Sequence, residues 1–137
     1  MGRIIAVDYG DARTGVAVSD LTGSIAGESL TIQEWNTERL AQRLAFFARE
    51  RDCERFVLGL PKNMDGSEGP RAEKARQFGA MLEECSGILV VFWDERRTTI
   101  EAHAILHASG KKEKKHRACV DAVAASLLLE SYLKSLE

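Results

Sequence analysis

One stretch near the start constrains this chain more than any other. The apolar run Ile4-Ile5-Ala6-Val7 ends in Asp8-Tyr9-Gly10. A turn, Gly10-Asp11-Ala12-Arg13-Thr14-Gly15, leads into a second apolar run, Val16-Ala17-Val18. Side chains alternate along a strand, so Ile4, Ala6 and Asp8 share one face while Ile5, Val7 and Tyr9 share the other. A bare carboxylate at the end of a buried strand costs several kcal/mol unless it is paired, protonated or bound to a metal. Asp8 is therefore a candidate site. Its plain alternative is an Asp that caps its own turn.

The rest of the pattern shows what such a strand can belong to. Length predicts a single domain, residues 1–137, large enough to bury a core. Hydrophobic residues are 45% and charged residues 29%, ordinary for a soluble globular protein. The net charge of −2 does not mark a bulk nucleic-acid binder, so such a role needs a local patch. Cys53, Cys85 and Cys119 form no CxxC pair. They are expected to be reduced, small apolar residues rather than zinc ligands. The chain enters a strand directly after Met1-Gly2-Arg3 and has no long apolar run. No signal peptide and no membrane span are expected, and a cytoplasmic location is.

Strands are predicted over Arg3–Tyr9, Val16–Ser19 and Ser24–Ile32, with Asp20-Leu21-Thr22-Gly23 as a hairpin turn. These form an antiparallel meander. The period then changes. Asn36 is a plausible helix cap, and Leu40, Leu44, Phe47 and Ala48 recur at helical spacing to about Arg51. The run Glu54–Leu60 reads as a buried parallel strand, stopped by Pro61. After the polar loop Lys62–Gly69, Pro70 opens a helix to about Glu84. Ile88–Trp93 is a fifth strand. A helix capped by Thr98 or Thr99 follows to about Ala108, then a basic loop over Gly110–Arg117, then a last helix over Ala118–Leu136. The fold class is α/β: a mixed five-stranded sheet, three antiparallel strands followed by parallel βα units, flanked by helices. Sites in such sheets form at the carboxyl ends of parallel strands. Asp8, the Gly59-Leu60-Pro61 turn and Asp94-Glu95 all lie at such ends.

Asp8, Glu95 and Asp121 are the carboxylates grouped as catalytic and metal-binding. Asp94 is an uncertain neighbour, because it points opposite to Glu95 if the strand continues. Asp121 is read in the first turn of the last helix, where it has a structural alternative as partner to the positive helix end. Three converging carboxylates repel one another. Divalent cations relieve this, and oxygen ligands suit Mg²⁺. Two ions suit in-line attack of water on a phosphodiester. Lys111, Lys112, Lys114, Lys115 and Arg117 place five cations against Glu113 alone. This patch sits just before Asp121 and suits phosphate contact, the alternative being a solvated loop. Arg13, Lys62, Asn63 and Arg96 fall on loops at the same edge and join it as nucleic-acid-binding candidates.

The segments Ala6-Val7-Asp8-Tyr9-Gly10 with Arg13-Thr14-Gly15-Val16-Ala17, Gly59–Ser67, Asp94–Thr99 and Asp121–Ala125 resemble the signature blocks of the YqgF/RuvX family. These are bacterial proteins similar to Holliday-junction resolvases and regarded as nucleases of precursor 16S ribosomal RNA. Order and spacing match across essentially the whole chain. The resemblance implies a ribonuclease-H-like fold, Asp8, Glu95 and Asp121 as the acidic metal site, and Mg²⁺ or Mn²⁺ as cofactor. It implies a role in maturing the 5′ end of 16S rRNA in the cytoplasm, with branched DNA as the older alternative substrate and either a monomer or a homodimer. Glu113 and His116 interrupt a patch that relatives often keep more uniformly basic. Actin-like and sugar-kinase-like ATPases also open with a strand, an Asp and a glycine turn. They need two such lobes, and a second glycine-rich phosphate loop is missing from this sequence. A non-catalytic nucleic-acid-binding assembly factor is the remaining alternative.

Overall fold

The computed structural model describes residues 2–20, 26–94 and 113–136. Five strands and three helices are defined there: β1 Arg3–Asp8, β2 Arg13–Ser19, β3 Ala26–Gln33, α1 Thr37–Glu50, β4 Cys53–Leu60, α2 Pro70–Ser86, β5 Leu89–Asp94 and α3 Glu113–Ser135. The strands form one sheet in the order β3-β2-β1-β4-β5. β1 pairs antiparallel with β2, and β2 with β3. β1 also pairs parallel with β4, and β4 with β5. This is the mixed sheet expected from the sequence, with β1 at its centre.

Alternation along β1 sorts the core into two layers. Ile5 and Val7 join Val16, Phe56, Leu58, Leu40, Leu44, Phe78 and Leu82 beneath α1 and α2. Ile4 and Ala6 join Ala17, Val57, Ala125, Leu128 and Leu129 beneath α3. The helices on the first layer have local reasons to begin and end. The Asn36 side chain accepts from the Arg39 N–H at 2.9 Å and caps α1. Pro70 starts α2, and Gly87 ends it in the left-handed region at φ 71°, its N–H donating to the Glu83 carbonyl. The chain reverses between α1 and β4 at Asp52, which holds φ 52°. Asp is among the few residues that tolerate this conformation.

Two boundaries differ by several residues from the sequence reading. β2 begins at Arg13, so Thr14 and Gly15 belong to the strand rather than the turn. Thr14 is fully buried, and its hydroxyl accepts from the Gly10 N–H at 3.3 Å, so the turn closes onto the strand. α3 begins at Glu113, not Ala118. Lys114, Lys115, His116 and Arg117 therefore lie on a helix and not in a loop, consistent with the good helix propensity of Lys and Arg. Asp121 then stands about two turns inside α3, beyond the reach of the N-terminal dipole that its structural alternative required. The expected helix Thr98–Ala108 and the Leu21–Gly23 part of the hairpin turn lie outside the described residues.

Candidate active site

Asp8 is the last residue of β1 and is half-buried. Its register partner in β2 is Gly15, and continuing the parallel register past Val7–Leu58 places Gly59 of β4 on its other side. Gly59 in turn pairs with Trp93, and Gly15 with Thr31. On the α3 face, one row across the sheet therefore reads Thr31, Gly15, Asp8, Gly59, Trp93. Both glycines are buried. A carboxylate flanked in register by two residues without side chains has backbone, not bulk, on either side.

The layer over this row is anchored at its far end. The Trp93 indole N–H donates to the Ser131 hydroxyl at 3.1 Å, and its ring meets Tyr132 edge-on at 5.4 Å. Arg55 donates to the Tyr132 hydroxyl at 2.6 Å. Small residues, Ala6 and Ala17 in the sheet and Ala124 and Ala125 in α3, are all buried. They let the helix lie close to the sheet between these anchors and the level of Asp8.

Tyr9, the next residue, faces the opposite way. It stacks on Phe78 of α2 with centroids 4.4 Å apart and planes within 4°. Burial, reinforced by the Asp11 charge and opposed by Lys74, holds its hydroxyl above the ordinary tyrosine pKa, so it stays a neutral phenol. Gly10 is required by closeness: a Cβ there would sit 2.2 Å from the Arg13 carbonyl oxygen. The loop after β4 is braced internally. Asn63 donates from its backbone to the Ser67 carbonyl at 2.8 Å and from its amide to the Ser67 hydroxyl at 3.0 Å. The Ser67 hydroxyl donates to Asp65 at 2.6 Å.

Of the candidates read from the sequence, Asp8, Arg13, Lys62, Asn63 and Asp94 lie on described residues at the carboxyl edge of β1 and β4–β5 or beside it. Arg13 opens β2, in register with Gln33, and Lys62 and Asn63 stand on the braced loop. Asn63 serves that loop's own structure. Asp94 closes β5 in register with Leu60. Its alternation partners Val90 and Phe92 pack on the α1–α2 layer, whereas Val91 and Trp93 pack on the α3 layer. Lys114, Lys115, Arg117 and Asp121 fall on α3. Glu95, Arg96, Lys111 and Lys112 lie outside the described residues. Among the described residues, no three His, Cys, Asp or Glu side chains converge to hold a metal ion. Cys53 is buried, and burial pushes its thiol up to about 11, so it stays protonated at neutral pH. The sequence reading did not single out Trp35, Arg71 and Lys74, which border a groove at the same edge. The available signal was Trp35 itself, a large aromatic directly before a helix cap.

Comparison with known proteins fits this geometry. A RuvC of Thermus thermophilus in complex with a Holliday junction superposes with a TM-score of 0.58 at 10% identity, over 98% of this chain and 96% of that one. The fowlpox virus Holliday junction resolvase superposes at 0.59 and 20% identity, over 98% and 99%. At these identities the likeness is one of fold, the ribonuclease-H-like sheet of the resolvases. Among curated proteins, one from Halothermothrix orenii named "Putative pre-16S rRNA nuclease" is 42% identical over 132 residues, 96% of this chain and 94% of its own length. One of the same name from Ligilactobacillus salivarius is 44% identical over 139 residues, 97% and 92% of the two chains. No described helix is long and apolar enough to cross a membrane. The family profile named RuvX, described as Holliday junction resolvase, matches residues 2–135, and the chain belongs to that nuclease family.

Proposed function

We propose that residues 1–137 act as one metal-dependent endonuclease domain in the cytoplasm that hydrolyses phosphodiesters, with precursor 16S rRNA at its 5′ end as substrate. The observation that carries this is the position of Asp8. It closes the central strand, on the face crossed by α3, between Gly15 and Gly59. Asp121 precedes the buried Ala125 of α3 by one helical turn, and Ala125 packs in the same layer as Ala6, two residues before Asp8. Glu95 directly follows β5, whose Val91 and Trp93 face that layer. Asp8, Glu95 and Asp121 are thus offered as the acidic set.

Their donor chemistry fits hard cations. Three carboxylates are all-oxygen ligands of the kind Mg²⁺ and Mn²⁺ prefer, and the buried Cys53 thiol offers no soft competitor. Two such ions, when bound, supply a metal-activated water and neutralise charge on the scissile phosphate. The protein's own part is to hold Asp8 at a strand end and Asp121 on a helix rather than on loops. Arg13, Lys62, Asn63, Arg96, Lys111, Lys112, Lys114, Lys115 and Arg117 are the proposed phosphate contacts. Such contacts position the backbone without reading sequence.

The test is cleavage of single-stranded RNA and of a four-way DNA junction by purified protein with Mn²⁺, beside EDTA and Asp8→Asn controls. RNA cleavage lost in both controls is expected. Junction cleavage alone would favour the second reading, branched DNA, which the family description supports. A two-fold junction would also call for a homodimer, whereas a single RNA cut needs only a monomer. Wild-type cleavage by Asp8→Asn would overturn the site assignment.

A further inference from the structure

The carboxyl edge of the sheet has a second side. Two cavities open on the α1–α2 face, of about 120 and about 310 Å³. Tyr9, Asp11 and Lys74 border both, so the two form one groove. Arg71 lies at one end and Trp35 at the other.

Trp35 is 72% exposed. It directly precedes the α1 cap, where an apolar residue usually staples down onto the first turns of its helix. Leu40 in that helix is buried, yet Trp35 remains in solvent, so stapling does not account for it. The segment that carries it is firmly held. The Glu34 N–H donates to the Ala12 carbonyl at 2.9 Å, and its carboxylate accepts from the Asn36 N–H, Arg39 and Arg43. A large aromatic face is thus presented to water on a rigid support, beside a groove. Among the described residues, the charges facing the groove are Arg71, Lys74 and Asp11. Lys74 and Asp11 lie 3.5 Å apart, but both are well exposed, so the pair is weak and the ammonium is open to exchange for a phosphate.

We propose that this groove holds a single-stranded RNA flank of the substrate, with one base stacked on Trp35 and a backbone phosphate on Lys74 and Arg71. Stacking platforms beside cationic grooves bind single strands because every base has a π-face. Consecutive residues, Asp8 and Tyr9, open onto the two sides of one strand end, so a strand leaving Asp8 meets the groove directly. The inference rests on the reading of Asp8 as the cleavage centre, but its test does not.

Binding is measured in EDTA at low salt, where cleavage is silent, with a fluorescently labelled ten-nucleotide single-stranded RNA and a blunt RNA duplex. Loss of a stacked base is expected to weaken single-strand binding roughly 5- to 100-fold in Trp35→Ala. Lys74→Ala is expected to weaken it as well. Asp11→Asn, which releases Lys74, is expected to tighten it. Phe46→Ala, which removes an exposed aromatic elsewhere on α1, is expected to bind as wild type. In Trp93→Phe protein, where Trp35 is the remaining tryptophan, the single strand is expected to quench emission and the duplex to leave it unchanged. Unchanged binding by Trp35→Ala and Lys74→Ala would overturn the proposal. So would an equal loss in Phe46→Ala, weaker binding by Asp11→Asn, or equal quenching by the duplex. Failure of cleavage in the metal assay would leave this measurement fully readable, and failure here would leave the cleavage result standing.

Discussion

The two faces of the sheet are built from different materials. Under α1 and α2 the sheet presents Ile5, Val7, Val16, Phe56 and Leu58 to Leu40, Leu44, Phe78 and Leu82, all buried and mostly large. Under α3 it presents Ile4, Ala6, Ala17 and Val57, with Gly15 and Gly59 beside Asp8. Bulk fills the first face and smallness shapes the second. The thick layer supplies most of the apolar burial that drives folding. The thin layer lets α3 lie close to the face that carries Asp8, so the proposed chemistry sits where the sheet has the least side-chain mass.

This contrast can be broken or sharpened by substitution. Asp8→Asn is expected to cost at least ~10³-fold in cleavage, the scale at which a group essential to the reaction is lost. Its thermal stability should hold, because Asn keeps the volume and hydrogen-bonding reach of Asp while one charge is removed from the proposed acidic set. Leu82→Ala lies on the thick face and should do the reverse. Denaturant unfolding is expected to show a loss of about 2–5 kcal/mol, with kcat unchanged in the fraction that is folded. Gly59→Val intrudes on the thin face. It is expected to cost both ways, about 1–3 kcal/mol from overpacking and roughly a hundredfold in kcat/KM from displaced geometry. If Gly59→Val were as active as wild type, smallness beside Asp8 would have no functional meaning. Tyr132→Phe removes the acceptor for Arg55 and should cost about 1 kcal/mol, with activity altered only through the seating of α3.

The smallest effect is in pH. Burial pushes the Glu34 carboxyl up, but the Asn36 N–H and the Arg39 and Arg43 guanidiniums outweigh it and hold it below its ordinary 4.5. A carboxyl depressed on folding contributes stability above its unfolded pKa, and that stability is lost as pH falls through the folded value. Comparing urea midpoints at pH 7 and below pH 4 should therefore show a smaller acid loss in Glu34→Gln than in wild type.

Much of this was legible in the residues themselves. Period-two alternation sorted Ile4, Ala6 and Asp8 from Ile5, Val7 and Tyr9, and the structure divides them between its two layers in the same way. The Asn36 cap and the Pro70 start were readable because capping is local chemistry. The start of β2 was not. Arg13-Thr14-Gly15 reads as turn, and only its antiparallel pairing with Gln33, Ile32 and Thr31 of β3, together with that of Gly15 with Asp8, makes it strand. The start of α3 was missed for a similar reason: charge density suggested a loop, while the individual residues favour helix. Trp35 carries no local signal beyond its place before the Asn36 cap. Its exposure follows from how Glu34 ties that segment to Ala12, a contact between distant parts of the chain that no local pattern carries.

The adjacency of Asp8 and Tyr9 has a consequence for how this chain can vary. Side-chain direction in a strand has period two, so inserting or deleting one residue within β1 turns every following side chain over. The carboxylate would then face Phe78, and the phenol ring would enter the layer beneath α3. Substitutions in β1 that conserve volume can be absorbed one at a time, but a one-codon length change cannot. Length variation at this end of the protein is therefore confined to the connections between strands, and β1 is expected to keep its residue count while its individual apolar positions drift.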